Sequence, residues 1–316
     1  MISFRYHIVS IVSVFLALAV GVALGGGPLN REVDNTLVEQ VQADRTRKAE
    51  LRSQLAALNS TNAFGDDFAE TIAPGLVGGI LEDRTVSFLV LPGAQQTEVA
   101  ALGDMVEVAG GTVGGTVRIG DTLLDVENRQ LVDELGTQLL DGANGVSVPA
   151  DASGYERVGA LLARAIGTDE PGGAPVDGTA ESILAGLSTA GLLSTGEDLK
   201  RRGDLVVVVA GAGQGDPQEV QGASSIVTTV TSAVDAATAG VVVAGPVASA
   251  RGAGVVRAVR DDVVAARDVS TVDVLGRSAA RVVIAMALAG QANDQTGHFG
   301  AVDAADGAMP GAGTAG

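Results

Sequence analysis

Three stretches of the chain carry residue types that could do chemistry. The first is GAGQGDP, residues 211–217, which follows an apolar run and places glycines at 211, 213 and 215. A glycine-rich turn after a strand can cradle a dinucleotide phosphate, but that fingerprint needs its third glycine one residue later. Here Asp216 occupies the position and turns a like charge toward any phosphate. The expectation is a turn in which glycine supplies a positive φ. No GxxxxGK[ST] segment occurs, which argues against a P-loop nucleotidase.

The second stretch is GRSAA around Ser278, the nearest approach to a GxSxG elbow. A Ser-His-Asp triad would have to recruit His298, because the other histidine, His7, lies at the edge of an apolar segment. The carboxylate pairs Asp66 with Asp67, Glu82 with Asp83, and Asp261 with Asp262 are sequence neighbours. That spacing solvates both groups more readily than it sets an acid against a base. The third possibility is metal ligation. Soft metal ions take thiolate and thioether, and imidazole suits several transition metals, yet cysteine is absent and Met1, Met105, Met286 and Met309 are scattered. Met105 and Met286 fall on helical stripes and read as core. His298 and Met309 could offer at best a weak, flexible site. The expectation is no catalytic, cofactor-binding or metal residue, and a protein that is not an enzyme.

The elements that would position these residues begin with an apolar span. Residues 8–27 carry no charge and would measure about 30 Å as a helix, the hydrocarbon thickness of a bilayer. Its length and the single Arg5 before it favour a retained transmembrane helix over a cleaved signal. The basic residue places a short N-terminus, residues 1–7, in the cytoplasm and the bulk of the chain outside the cell membrane.

From Arg31 the composition turns to charge of both signs, with neither Gly nor Pro until Gly65. Leu37, Val41, Asp44, Lys48, Leu51, Leu55 and Leu58 are spaced alternately four and three apart, a heptad seam with five apolar members. Asp44 and Lys48 could pair with each other or across a dimer. Residues 30–61 are therefore expected to form a coiled-coil stalk roughly 45 Å long, its seam binding a second copy or a coiled-coil membrane partner. A solvated amphipathic helix packed on its own domain is the plainer alternative.

Residues 62–84, with Pro74 and glycines at 65, 75, 78 and 79, are expected to form a joint. Beyond it, RTVSFLVLPG, GTVGGTVRIG, DLVVVVAGAG, GVVVAGP and STVDVLG read as five strands alternating with helical stripes. Wholly apolar strands between helices predict a mainly parallel sheet covered on both faces, a Rossmann-like or flavodoxin-like three-layer α/β domain over residues 85–291. A helical insertion separates its second and third strands. Short, wholly apolar strands exclude a membrane β-barrel, which alternates polar and apolar residues over longer strands. Residues 292–316, rich in Gly and Ala, are expected to be mostly disordered. The formal charge of −18 repels phosphate backbones and argues against nucleic acid.

Taken together, MISFRYHIVSIVSVFLALAVGVALG, the charged helix, RTVSFLVLPGA, VVVVAGAG, VVVAGP, STVD and QTGHFG resemble the actinobacterial MctB family. The resemblance spans nearly the whole chain and is most specific at the amino terminus. It implies a cell-envelope protein of copper transport and copper homeostasis, described also as an outer-membrane protein. Related SteB-like proteins imply an alternative, a coiled-coil adaptor that binds a membrane partner and regulates peptidoglycan hydrolysis in cell separation. Copper enters through the resemblance alone, and no site residue carries over with it.

Overall fold

The computed structural model describes residues 4–25, 28–196 and 198–311, without the side chains of residues 28–38. Two compact units divide the chain, Met1–Phe64 and Gly65–Gly316.

The first unit holds helix α1 (Phe4–Gly25) and most of helix α2 (Pro28–Val77). Ala, Leu, Gln, Glu and Arg dominate the middle of α2, and each loses little side-chain freedom in a helix. The break expected over residues 62–84 is much smaller than the Gly and Pro content suggests. The helix continues through Gly65 to Val77 with Pro74 in its last turn, and only residues 78–84 form the joint. Tertiary packing overrides local propensity here: Ala69, Ala73 and Val77, spaced four apart, are buried in the second unit. Gly79, at φ +83°, supplies the left-handed turn after the helix.

The second unit begins β1 (Thr85–Val90), α3 (Gln96–Val108), β2 (Thr112–Ile119). An excursion follows through α4 (Asp121–Leu124), α5 (Arg129–Gly142), α6 (Gly154–Ile166), β3 (Ala174–Pro175), α7 (Gly178–Thr189), β4 (Leu193–Thr195) and β5 (Arg201–Arg202). The regular alternation then resumes with β6 (Leu205–Val209), α8 (Pro217–Asp235), β7 (Gly240–Ala244), α9 (Val255–Asp261), α10 (Ala265–Asp268), β8 (Ser270–Val272), α11 (Ser278–Gln291) and β9 (His298–Phe299).

The main sheet has seven strands in the order β4-β2-β1-β6-β7-β8-β9, with β4 antiparallel to β2 and every other pair parallel. Every residue of β6, at its centre, is buried, and successive side chains feed opposite cores. Val206 and Val208 pack with Leu161 and Val230 on one face. Leu205, Val207 and Val209 pack with Leu102 and Ile284 on the other.

The sequence reading of an α/β unit with a mainly parallel sheet holds, but the five expected strands become seven. β4 and β9 span three and two residues, too few for a period to show. β9 also corrects the reading of residues 292–316 as disordered. The described chain through Gly311 adds a strand to the sheet edge and lays Phe299 and Met309 against the core. Residues 312–316 lie outside the described residues.

Candidate functional site

α1 is 22 residues long with no buried residue, and by length and composition it can cross a membrane. Its apolar side chains point outward on every side, Ile8, Phe15 and Leu16 among them. A helix of this kind is stable in lipid, where its backbone bonds are internally satisfied.

On α2 the heptad positions are open to solvent in this single chain. Val41, Leu51, Leu55 and Leu58 are 48%, 51%, 58% and 59% exposed. Asp44 and Lys48, whose spacing would let them pair, are both exposed, and no ion pair joins them among the described residues. The side chain of Leu37 lies outside the described ones.

Asp216, Ser278 and His298, considered first for chemistry, are committed to structure. Asp216 is the N-cap of α8, accepting from the backbone N–H groups of Gln218 and Glu219 at 2.8 and 3.0 Å, while Glu219 reaches back to the Asp216 N–H. This capping box takes the first-turn donors that a phosphate would need. Of the three glycines in the loop, Gly215 takes the positive φ, +103°. Gly211 is required for a different reason: a Cβ there would lie 2.4 Å from the carbonyl carbon of Gly93, in the loop after β1.

Ser278 begins α11, and its hydroxyl donates to Glu70 Oε1 at 2.8 Å while its N–H donates to Asp66 Oδ1 at 3.0 Å. The end of α2 thus caps α11 with carboxylates, and Arg281 adds an ion pair to Glu70 at 3.5 Å. His298 lies on β9. Its Nε2 meets the Ala266 carbonyl at 2.9 Å and its Nδ1 meets Thr271 Oγ1 at 3.0 Å. A carbonyl can only accept, so Nε2 carries the proton and Nδ1 accepts from the Thr271 hydroxyl. Burial, opposed by the Ala266 hydrogen bond, lowers the His298 pKa and disfavours the charged ring. With both nitrogens and the Ser278 hydroxyl engaged elsewhere, the structure does not bring the two together as nucleophile and base.

The pair Asp261 with Asp262 separates in the same way. Asp261 pairs with Arg257 at 2.7 Å, whereas Asp262 accepts from the backbone of Val264 and Ala265. Met105 is buried in α3, and Met286 packs partly buried against the same core. Among the described residues no group of three or more His, Asp or Glu side chains is placed to hold a metal ion.

Sequence reasoning missed a buried polar cluster at the carboxy-terminal edge of the sheet. Arg260 and Asp273, 7% and 0% exposed in their side chains, pair at 2.9 Å. Arg260 also donates to Thr271 Oγ1 and to the carbonyls of Phe299 and Val302, while Asp273 accepts from the N–H groups of Ala301 and Val302. The pair clasps the carboxy-terminal segment to the sheet. Its signal was a charged residue within two apolar stretches, VVRAVRDD and STVDVLG, where burial demands a partner.

The class defined by these parts is an α/β protein preceded by an exposed, membrane-length helix. A family model described as "Copper transport outer membrane protein, MctB" matches residues 1–310. The chain belongs to the MctB family. It is 28% identical over 305 residues to proteins named Copper transporter MctB from Mycobacterium tuberculosis and Mycobacterium bovis, covering 95% of this chain and 96% of theirs. The Mycobacterium leprae protein of the same name is 27% identical over 296 residues, 91% of this chain and 92% of its own. None of these names carries the cell-separation role that the resemblance also implied.

Proposed function

We propose that this chain is a single-pass cell-membrane protein that serves copper homeostasis of the envelope without itself performing a reaction. α1 is its retained anchor, residues 1–7 are cytoplasmic, and the bulk of the chain is extracytoplasmic. The observation that carries the reading is α1: an apolar helix with no protein cover, in a chain whose relatives bear the name copper transporter. Copper in that name is cargo. One spanning helix cannot enclose a conduit by itself, so the contribution of a single chain is assembly, with copies of itself or with a partner.

The exposed heptad positions Val41, Leu51, Leu55 and Leu58 support α2 as the coiled-coil stalk that makes this assembly. Leu37, Asp44 and Lys48 complete its seam. The body supports a Rossmann-like and flavodoxin-like assignment, because helices cover both faces and its parallel strands grow in opposite directions from the junction of β1 with β6.

Deletion of the gene in its own host, followed by measurement of cell-associated copper, tests the function. Copper should accumulate, and the full chain should restore the original level while residues 1–64 alone should not. Unchanged copper, or full restoration by residues 1–64, would overturn the reading. The seam has its own test: Leu51→Asp with Leu55→Asp should abolish crosslinking of the stalk in intact cells. Unchanged crosslinking would remove the seam and leave the copper role standing.

A further inference from the structure

In open α/β sheets the crevice outside the carboxyl ends of the strands, where the strand order reverses, is the natural ligand position. In this protein that point falls between β1 and β6. A cavity of about 140 Å³ lies there, roofed by the glycine-rich loop after β6 and walled by Leu91, Leu124, Val220, Val227 and Val255. A chamber of about 10 Å³ shares Leu91, Leu124 and Val227 with it. The chamber's one polar side chain is Thr231. Thr231 is completely buried, and its hydroxyl has no hydrogen-bond partner among the described residues.

A hydroxyl in the middle of a helix ordinarily donates to the carbonyl four residues before it. Thr228 and Thr229, on the same helix, do so, and Thr231 does not. Leaving a buried hydroxyl unpaired is unfavourable, and this one lines the small chamber that shares three wall residues with the cavity. The mouth selects against charge. Asp121 stands at its rim, the first-turn N–H groups of α8 are already taken by Asp216, and the aliphatic walls cannot solvate an ion. In size the cavity matches an engineered one of about 150 Å³ that accepts benzene.

We propose that the crevice binds a small, neutral, largely apolar molecule of about six to eight non-hydrogen atoms whose single hydroxyl reaches toward Thr231. The molecule enters beneath the loop holding Gln214 and packs against Leu124 and Val227. A Cβ on Gly93 would lie 3.1 Å from Gln214 Nε2, so the loops after β1 and β6 pass close to one another at the site. This site does not depend on the copper reading above.

The test is methyl NMR of the full chain in lipid nanodiscs, with Leu and Val labelled, titrated separately with phenol and with benzene. Phenol should shift the methyls of Leu124, Val227 and Val230 saturably and leave Val282, on the other face of the sheet, unmoved. Benzene should bind roughly tenfold more weakly, the equivalent of one net hydrogen bond. Thr231→Val, which keeps the shape, should remove that preference, and Ala223→Leu, at the wall of the cavity, should block both probes. Absence of saturable phenol shifts in the unaltered chain would overturn the proposal. So would an unchanged preference in Thr231→Val, or undiminished binding in a folded Ala223→Leu.

Discussion

α1 and α11 are composed of nearly the same residues and meet opposite fates. Both are runs of Val, Ala, Ile and Leu. Leu16 in α1 is 65% exposed, whereas Leu288 in α11 is fully buried. Length is one reason, since 14 residues make a helix of roughly 21 Å and 22 residues one of roughly 33 Å, and a bilayer requires about 30 Å. Neighbours are the other. α11 lies on the sheet with α3, and the carboxy-terminal segment covers part of it through Phe299 and Met309. An apolar helix is thus read by what surrounds it: α11 is a piece of core, and α1 is an uncovered apolar helix long enough to cross a membrane.

The largest way to break this comparison is to make α1 polar. Leu16→Arg with Leu18→Arg costs about 5–7 kcal/mol of insertion. The chain should move from the carbonate-resistant membrane fraction to the soluble one while the second unit keeps its fold by circular dichroism. Next in size is the clasp that holds the cover over α11. Arg260→Leu leaves Asp273 buried without its cation, and the second unit should lose about 3–5 kcal/mol in chemical denaturation with its membrane retention unchanged. Ile284→Ala then thins α11 alone, with an expected loss of about 2–4 kcal/mol, again without release from the membrane.

The smallest effect comes from a charge that packing tolerates poorly. Asp235, in the last turn of α8, has its pKa raised from 3.8 to about 6, chiefly by burial and then by the neighbouring Asp268 carboxylate, with the Val241 N–H opposing them. A carboxylate whose folded pKa lies above its unfolded value adds stability that is complete below the unfolded value and lost as pH rises through the folded one. Stability should therefore fall between about pH 4 and pH 7 on this account. Asp235→Asn should gain about 1 kcal/mol at pH 8, a value discounted for the water that still reaches the group, and nothing near pH 4. Thermal denaturation at the two pH values measures it.

The strands were legible where apolar residues run without interruption. LVVVV and GVVVA could only be sheet buried on both faces, and each is so. The turn at GAGQGDP was also legible, because a misplaced third glycine and an acidic residue already argued against phosphate. What could not be read was anything set by distant residues. Pro74 and Gly75 looked like a break in the chain, yet they lie within a helix because Ala73 and Val77 have a core to enter. QTGHFG looked like part of a loose tail. Its His298 and Phe299 form a strand because Thr271, Asp273 and Arg260 supply the partners. Thr231 gave no signal at all, since a threonine in a helix reveals its missing partner only when the neighbouring carbonyls are placed.

By itself the sequence determined the two periodicities and the one long apolar span, because period and length are properties of consecutive residues and need no partner. Strand order, the clasp around Asp273 and the crevice at β1 and β6 were decided by tertiary structure alone. Each joins segments far apart in the chain, and the free energy of burying a charge, a hydroxyl or an edge strand depends on which distant groups arrive to meet it.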